Sequence, residues 1–337
     1  MKISKNKIIG LPEIDSWRES AHRFDHSQVL AIEASHLSGR PLLVCGEPGL
    51  GKSQIARAVA ALRDWRLVTA VVNARTEIDD LLYSVDHVSR LSDANQIVVN
   101  TVGSNAADQA KEPDDPDDCA NKRTDANKRA KLLALDRYIE RGPVWDALAP
   151  GLETSDNKPG DPAKGTVLLV DEIDKAHPDV PNALLEVLNS MSFRVPQTGE
   201  TIAGRRDRLF VVITANNERP LPSAFLRRCA VLSLTLGTGS QAVEQLITVA
   251  QAHRKEGLLK HIKDEDLCKR AARITVDYRD NIRPPQYRPG TSEFLDLLRV
   301  VDQKLATGKM SESEVNNTLD EMSTFLIKKE FRSDAPV

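Results

Sequence analysis

Residues 42–53, LLVCGEPGLGKS, constrain this chain more than any other stretch. An apolar run ends at Cys45, a glycine-rich turn follows, and Lys52 and Ser53 lead into an alanine-rich helical run over residues 54–62. The pattern is G-x-x-x-x-G-K-S, with Gly46 and Gly51 at its fixed positions. Glycine permits backbone conformations that other residues avoid, so successive N–H groups can point into one concavity. The turn made by Gly46, Glu47, Pro48, Gly49, Leu50 and Gly51 is therefore expected to wrap a polyphosphate. Lys52, Ser53 and Gln54 open a helix whose positive end faces that polyphosphate. Lys52 supplies a point charge for the β- and γ-phosphates, and the Ser53 hydroxyl is a magnesium ligand. A nucleoside triphosphate with Mg2+ is the expected ligand.

Residues 166–174, TVLLVDEID, form a second anchor. A continuous apolar run suits a central parallel strand buried on both faces. It ends in two acids where an open parallel sheet places its ligands, at the carboxyl ends of the strands. Asp171 is expected to hold magnesium, and Glu172, one residue on, to polarise a water. Taken alone, such a run could equally be a strand that ends in solvated acids; the P-loop upstream reverses those odds. Residues 209–217, LFVVITANN, repeat the theme with amides at the end. Asn216 or Asn217 would lie beside the γ-phosphate, where an amide can orient a water; a turn asparagine is the plainer alternative. AFLRRC follows, with Arg227 and Arg228 adjacent.

Around these anchors the pattern predicts a helix over residues 26–38 ended by Gly39, a strand over 66–73, and an amphipathic helix over 76–95. Residues 1–24 read as a polar lead-in. Residues 103–131, including the acidic run 112–118, read as a mobile loop with a solvated face. A helix is expected over 132–141 up to Gly142-Pro143, and a polar linker over 151–164. Residues 180–188 predict a helix, 192–201 a hairpin and 231–236 a last strand. From Gly237 onward the texture becomes helical, with candidates at 240–254, 264–279, 291–305 and 312–328. The loop 281–290 is dense in breakers (Pro284, Pro285, Pro289, Gly290) and carries Arg288, which by itself reads as a solvated arginine.

At 337 residues the chain can bury a large core and is expected to form two domains. Its net charge of −3 gives no bulk electrostatic case for binding nucleic acid or a membrane surface. Cys45, Cys119, Cys229 and Cys268 show neither zinc nor redox spacing and read as free thiols of a reducing cytoplasm. The N-terminal segment lacks a signal-peptide core, and no segment approaches the ~20 apolar residues needed to span a bilayer. A cytoplasmic location is expected.

A P-loop, an apolar strand ending Asp-Glu, a strand ending in Asn and paired arginines before a helical region together resemble the AAA+ ATPases. DEIDKAHPDVPNALLEVLN, the hairpin, TANNERPLPSAFLRRC, RPGTSEFLDLL and the GPVW segment resemble the MoxR-type branch. The resemblance implies an α/β P-loop NTPase fold: a three-layer parallel-sheet domain over residues 25–236, then a small all-helical lid over 237–337. It implies that Lys52 and Ser53 bind phosphate and magnesium, Asp171 supports magnesium and Glu172 aligns water. Asn216 matches the first sensor, Arg228 the arginine finger acting on an adjacent subunit, and Arg288 the second sensor. The branch often has Asp before the finger arginine where this chain has Arg227, so either arginine could reach the phosphate. The implied assembly is a homo-oligomeric ring, expected to be hexameric, that hydrolyses ATP to remodel a protein partner. That partner is one bearing a von Willebrand factor A domain. The competing readings are a nucleic-acid or defence-system motor and a slow-turnover nucleotide-gated scaffold. The near-neutral charge and the absence of an aromatic-basic stripe weigh against the motor.

Overall fold

The computed structural model describes residues 3–14, 17–95, 135–149, 164–282, 287–308 and 312–329. In chain order these begin with β1 (Ile8–Leu11), β2 (Ser20–Arg23), α1 (His26–Ser38), β3 (Leu42–Gly46), α2 (Lys52–Arg63), β4 (Arg66–Val71), α3 (Ile78–Leu82) and β5 (Tyr83–Val85). Next come β6 (Ile139–Arg141), α4 (Pro143–Leu148), β7 (Thr166–Asp171), α5 (Asp179–Ser190), β8 (Ser192–Arg194), β9 (Thr201–Ala203), β10 (Leu209–Ala215), α6 (Ser223–Leu226) and β11 (Ala230–Leu234). Helices α7 (Gly239–Lys255), α8 (Glu265–Asn281), α9 (Thr291–Thr307) and α10 (Glu312–Ser323) complete the set.

One five-stranded sheet, ordered β11-β3-β10-β7-β4 with every pair parallel, organises the first part of the chain. Its strands are apolar on both sides because both sides are covered, and the period-2 alternation sorts them. Leu42, Val44, Val167, Leu169, Phe210 and Val212 face the α1–α2 layer with Ile32, Ile55 and Val59. Leu43, Leu168, Val170, Val211 and Ile213 face the opposite layer with Trp145, Leu184, Leu185 and Phe225. The C-terminal helices bury a separate cluster built on Leu246, Ala271, Phe294 and Leu298. The α/β sheet fold followed by a helical region is thus the fold the sequence predicts. Among the described residues no helix is long and apolar enough to cross a membrane.

Helix termini follow local chemistry. Asp25 caps α1: its Oδ1 accepts the Gln28 N–H at 2.7 Å while the Gln28 side chain accepts the Asp25 N–H, a capping box. Gly39, at φ 65°, closes the same helix in the left-handed region.

Three expectations change. Residues 76–95 are not one helix: α3 gives way to β5, and helix resumes only over 87–95. Leu81, Leu82 and Tyr83 are consecutive and all buried, which no helical face allows, and β5 pairs antiparallel with β6. The supposed stripe residues Val88 and Leu91 are exposed. The described end of the helix expected over 132–141 is instead a 3₁₀ turn and β6, with Pro143 at the first turn of α4. The N-terminal lead-in contains the antiparallel β1–β2 pair, which packs on α2 and α7 and buries Leu11 and Phe24. Residues 103–131 with their acidic run, the linker up to residue 163, Cys119, Pro284 and Pro285 lie outside the described residues. Cys45, Cys229 and Cys268 are free thiols.

Candidate functional site

The carboxyl ends of β3, β7 and β10 meet at the start of α2. β3 and β10 are neighbours whose connections leave in opposite directions, β3 toward β4 and β10 across to β11, so a crevice opens between their carboxyl ends. Gly46, Gly49 and Gly51 have φ of 155°, 77° and 79°, so the turn between β3 and α2 uses conformations that L side chains avoid. Lys52 is 7% exposed and folds back over the turn. Its Nζ donates to the Gly46 and Glu47 carbonyls at 2.9 Å each. Burial lowers its pKa, and the nearby Asp171, Asp174 and Glu172 oppose that shift.

The Ser53 hydroxyl lies at 2.9 and 3.0 Å from the two oxygens of Asp171, reaching from the first turn of α2 to the end of β7. Hydroxyl and carboxylate are hard oxygen donors of the kind Mg2+ takes. Among the described residues no group of three His, Cys, Asp or Glu side chains could hold a metal. A cation at this pair would therefore draw its remaining ligands from phosphate and water.

Glu172 follows Asp171 at φ 61°, and this left-handed turn swings its carboxylate away from the strand. Its Oε2 accepts from Lys175 Nζ at 2.7 Å and its Oε1 from Asn216 Nδ2 at 3.1 Å. The Lys175 hydrogen bond, helped by Asn216 and resisted by partial burial, holds the Glu172 carboxyl below the usual carboxylate range. Asn216 thus touches the expected base directly, whereas Asn217, at φ 62°, turns the chain.

Four side chains that hold the candidate site residues in place escaped the sequence reading. Thr214 is fully buried; its hydroxyl donates to Asp171 and accepts the Glu172 N–H at 3.0 Å, fixing both acids. Asp174 is 3% exposed, and its Oδ2 accepts the N–H groups of Asn216 and Glu218 at 3.0 Å, tying β10 to the acidic turn. Lys175 holds Glu172. Arg279, buried on α8, pairs with Glu47 of the glycine-rich turn. The signal in the sequence is that Thr214 is the lone polar residue of its apolar run and that Arg279 continues the i, i+4 row of Leu267, Ala271 and Thr275, which is buried.

The remaining predicted residues are distributed as follows. Arg288 Nη1 is 3.7 Å from Glu47 Oε1. Gln54 accepts from Arg57 at 3.2 Å. Pro48 and Gly49 lie against Gly290, and the Gly49 carbonyl accepts the Ser292 N–H at 3.0 Å, so the helical region sits directly on the turn. Leu50 and Gln54 line a cavity of about 440 Å³ bounded by β2, α7 and the start of α9. This volume suits the nucleoside half of a nucleotide. His253 forms part of its wall: Nδ1 bonds the Val249 carbonyl at 2.9 Å, so Nε2 accepts from Ala21 N–H at 3.2 Å and Ser20 at 3.1 Å. Burial lowers the pKa of His253, on α7, to about 4, and that of His22, on β2, to about 4. Arg227 and Arg228 do not join the cluster; both are exposed at the end of α6.

No curated protein matches the chain. The solved structures similar to it include the following three. A proline-to-glycine mutant of RuvB from Thermotoga maritima shares 14% identity over 88% of this chain and 68% of its own, with a TM-score of 0.46. The T. maritima RuvB Holliday junction branch migration motor shares 14% over 88% and 67%, at 0.42. A candidate ATPase from Cytophaga hutchinsonii shares 15% over 89% and 79%, at 0.37. The family model of the AAA domain, dynein-related subfamily, matches residues 41–229, which run from the strand before the glycine-rich turn to the end of the arginine pair. That span is more than half of the chain, and the chain belongs to the dynein-related AAA domain family.

Proposed function

We propose that this protein binds ATP with Mg2+ at the glycine-rich turn and hydrolyses it to ADP and phosphate. The observation that carries the reading is the convergence at one point of Ser53 on Asp171 and of Asn216 and Lys175 on Glu172. Phosphoryl transfer to water needs positioning and charge neutralisation more than covalent chemistry. The turn amides and Lys52 bind the phosphates, Lys52 exchanging its two carbonyl partners for phosphate oxygens. Ser53 and Asp171 would hold magnesium, which when bound neutralises charge on the phosphate oxygens. Glu172 and Asn216 align the attacking water, and Arg288 reads the terminal phosphate from the helical region. The cavity between β2, α7 and α9 takes the base and ribose.

Two substitutions test this. Lys52→Ala should abolish binding of a fluorescent ATP analogue. Glu172→Gln should bind it as tightly as wild type while hydrolysis falls at least ~100-fold, the scale of general-base loss. Full turnover by Glu172→Gln would sink the reading.

At the finer level we read a MoxR-type remodelling ATPase: a domain over residues 25–236 with a lid over 237–337, assembled as a cytoplasmic ring. Its partner would bear a von Willebrand factor A domain. The exposure of Arg227 and Arg228 at the end of α6 supports action in trans on the nucleotide of an adjacent copy. An arginine finger is worth about 10³–10⁵ in rate, so an isolated subunit would be nearly inert. Mixing Lys52→Ala with Arg228→Ala subunits should restore some ATPase, because some interfaces then carry both intact halves. No recovery at any ratio, for Arg227→Ala as well, would exclude a trans finger.

A further inference from the structure

The helical region is pinned to the glycine-rich turn at two places on either side of Arg288. On one side Arg279, 6% exposed at the end of α8, donates through Nη1 to the Pro289 carbonyl at 3.0 Å and through Nη2 to the Glu47 carboxylate. On the other, the Ser292 N–H and hydroxyl reach the Gly49 carbonyl at 3.0 and 3.3 Å, and the Gly290 N–H donates to Glu293 at 2.8 Å. The approach is tight: a Cβ on Gly290 would lie 3.1 Å from the Gly49 oxygen. Arg288 stands between these pins and differs from Arg279 in how well it is satisfied. Its Nη1 is 3.7 Å from Glu47, beyond hydrogen-bond range, and its Nε is buried with no partner among the described residues. Arg279, at the end of α8, is thus held at two acceptors and Arg288, in the loop that follows, is under-engaged beside the same carboxylate.

We infer that Arg279 is a positioning residue that acts through Arg288: by bridging Glu47 to the Pro289 carbonyl, its guanidinium fork sets where Arg288 meets the terminal phosphate. The inference rests on the reading of the turn as a triphosphate site. A guanidinium can make this bridge because its N–H groups diverge in a fixed plane; an ammonium on a flexible stem cannot hold both acceptors in one geometry. Arg279 stays on Glu47 when nucleotide arrives, and Arg288, weakly held, transfers to phosphate.

The test measures the ratio of affinities for fluorescent ATP and ADP analogues, because a collapsed lid would weaken both equally while a misplaced Arg288 costs only ATP. Arg288→Gln should lower the ATP-over-ADP preference about 10–100-fold, the range of one charge-assisted hydrogen bond. Arg279→Gln should lower it by a similar factor with ADP affinity within about twofold, and Arg279→Lys should fail to restore it. The Arg279→Gln/Arg288→Gln double variant should be no worse than Arg288→Gln alone, since the first residue acts through the second. Should Arg279→Gln not fold, Glu47→Gln makes the same cut from the glycine-rich turn, where the side chain is 44% exposed, and should also be non-additive with Arg288→Gln. Additive losses, or a preference unchanged in Arg279→Gln and Glu47→Gln, would overturn the inference while leaving the ATP reading intact. Wild-type protein that binds neither analogue would overturn both.

Discussion

Replacing Thr214 with valine isolates the group that holds the two acids of the site. Valine matches threonine in shape, so the fully buried position gains no cavity, and only the hydroxyl is lost. That hydroxyl makes two bonds: it donates to Asp171 and accepts the Glu172 N–H at 3.0 Å. A hydrogen bond to a charged group contributes about 1.5–3 kcal/mol, and an amide left without a partner costs about 1–3 kcal/mol. Asp171 keeps Ser53, and Glu172 is half-buried at the edge of the crevice, so water recovers part of this sum. We expect Thr214→Val to lose about 2–3 kcal/mol, which at about 2–4 °C per kcal/mol is a fall in melting temperature of about 4–12 °C. Thr214→Ser is the control: it keeps the hydroxyl and removes one methyl, about 0.8 kcal/mol. Glu172 also adopts a left-handed backbone, which disfavours any β-carbon by about 1–2 kcal/mol, and the Thr214 acceptor helps to offset that. Hydrolysis should therefore fall further than ATP affinity. Urea unfolding and single-turnover hydrolysis on the three proteins check both parts. If the valine and serine variants proved equally stable and equally active, the hydroxyl would not be what fixes the acids.

The pH behaviour of the proposed base, Glu172, follows from Lys175. The Glu172 carboxyl is held low chiefly by Lys175, so Lys175→Met should raise its pKa toward 4.5 and move the acid limb of the hydrolysis profile to higher pH; an unmoved limb would dismiss the pair. Folding stability should drop on acidification between pH 6.5 and about 4, because His22 and His253 stay neutral when folded but take up protons when unfolded. Each contributes a slope of about 1.4 kcal/mol per pH unit in that window and nothing above it. Denaturant titrations of His253→Gln should show a slope shallower by one proton, and an unchanged slope would refute the assignment. Trp145 is 6% exposed and meets Phe193 of the β8–β9 hairpin at 5.7 Å and Tyr83 at 6.3 Å. Trp145→Ala should cost about 3–5 kcal/mol in urea unfolding, and a loss below ~1 kcal/mol would show that the hairpin is anchored elsewhere.

The sheet was legible because β3, β7 and β10 are covered on both faces, and a short continuous apolar run flanked by turn residues suits few environments besides a strand buried in that way. The first three helices after Gly237 were legible to within two or three residues because each repeats its apolar face over four or more turns. Residues 76–95 misled because Leu81, Val85, Val88 and Leu91 keep helical spacing while the chain is pulled into β5 by β6, a partner more than fifty residues away. The β1–β2 pair was hidden for a related reason. Its strands are four residues long, and β2 buries Ser20 and His22, polar groups that find partners in His253 and Gln28. Local pattern reading assigns such residues to solvent because it cannot see those partners.

The same division runs through the site. Lys52, Ser53, Asp171, Glu172 and Asn216 stand in motifs; under the proposed ATPase reading each has a ligand or water to meet, and a small ligand fixes residue type and spacing over a few positions. Thr214, Asp174, Lys175 and Arg279 meet other protein groups instead. Thr214 reaches Asp171 across 43 positions, and Arg279 reaches Glu47 across 232. A residue whose partner lies far off in the chain needs only that the fold bring the two together, and no local spacing records that; Lys175, three positions from Glu172, is the exception. What such residues do leave behind is a polar group in an apolar pattern: threonine inside FVVITA, arginine on the buried stripe of α8. Burying either without a partner would cost more than a kilocalorie per mole, about 1–3 for a hydroxyl or amide and several for a charge, so each misplaced polar residue in a strong apolar pattern points to a partner elsewhere in the chain. By that rule Arg279 on the buried face of α8 already requires an acid or carbonyl near the end of that helix, and the glycine-rich turn supplies Glu47.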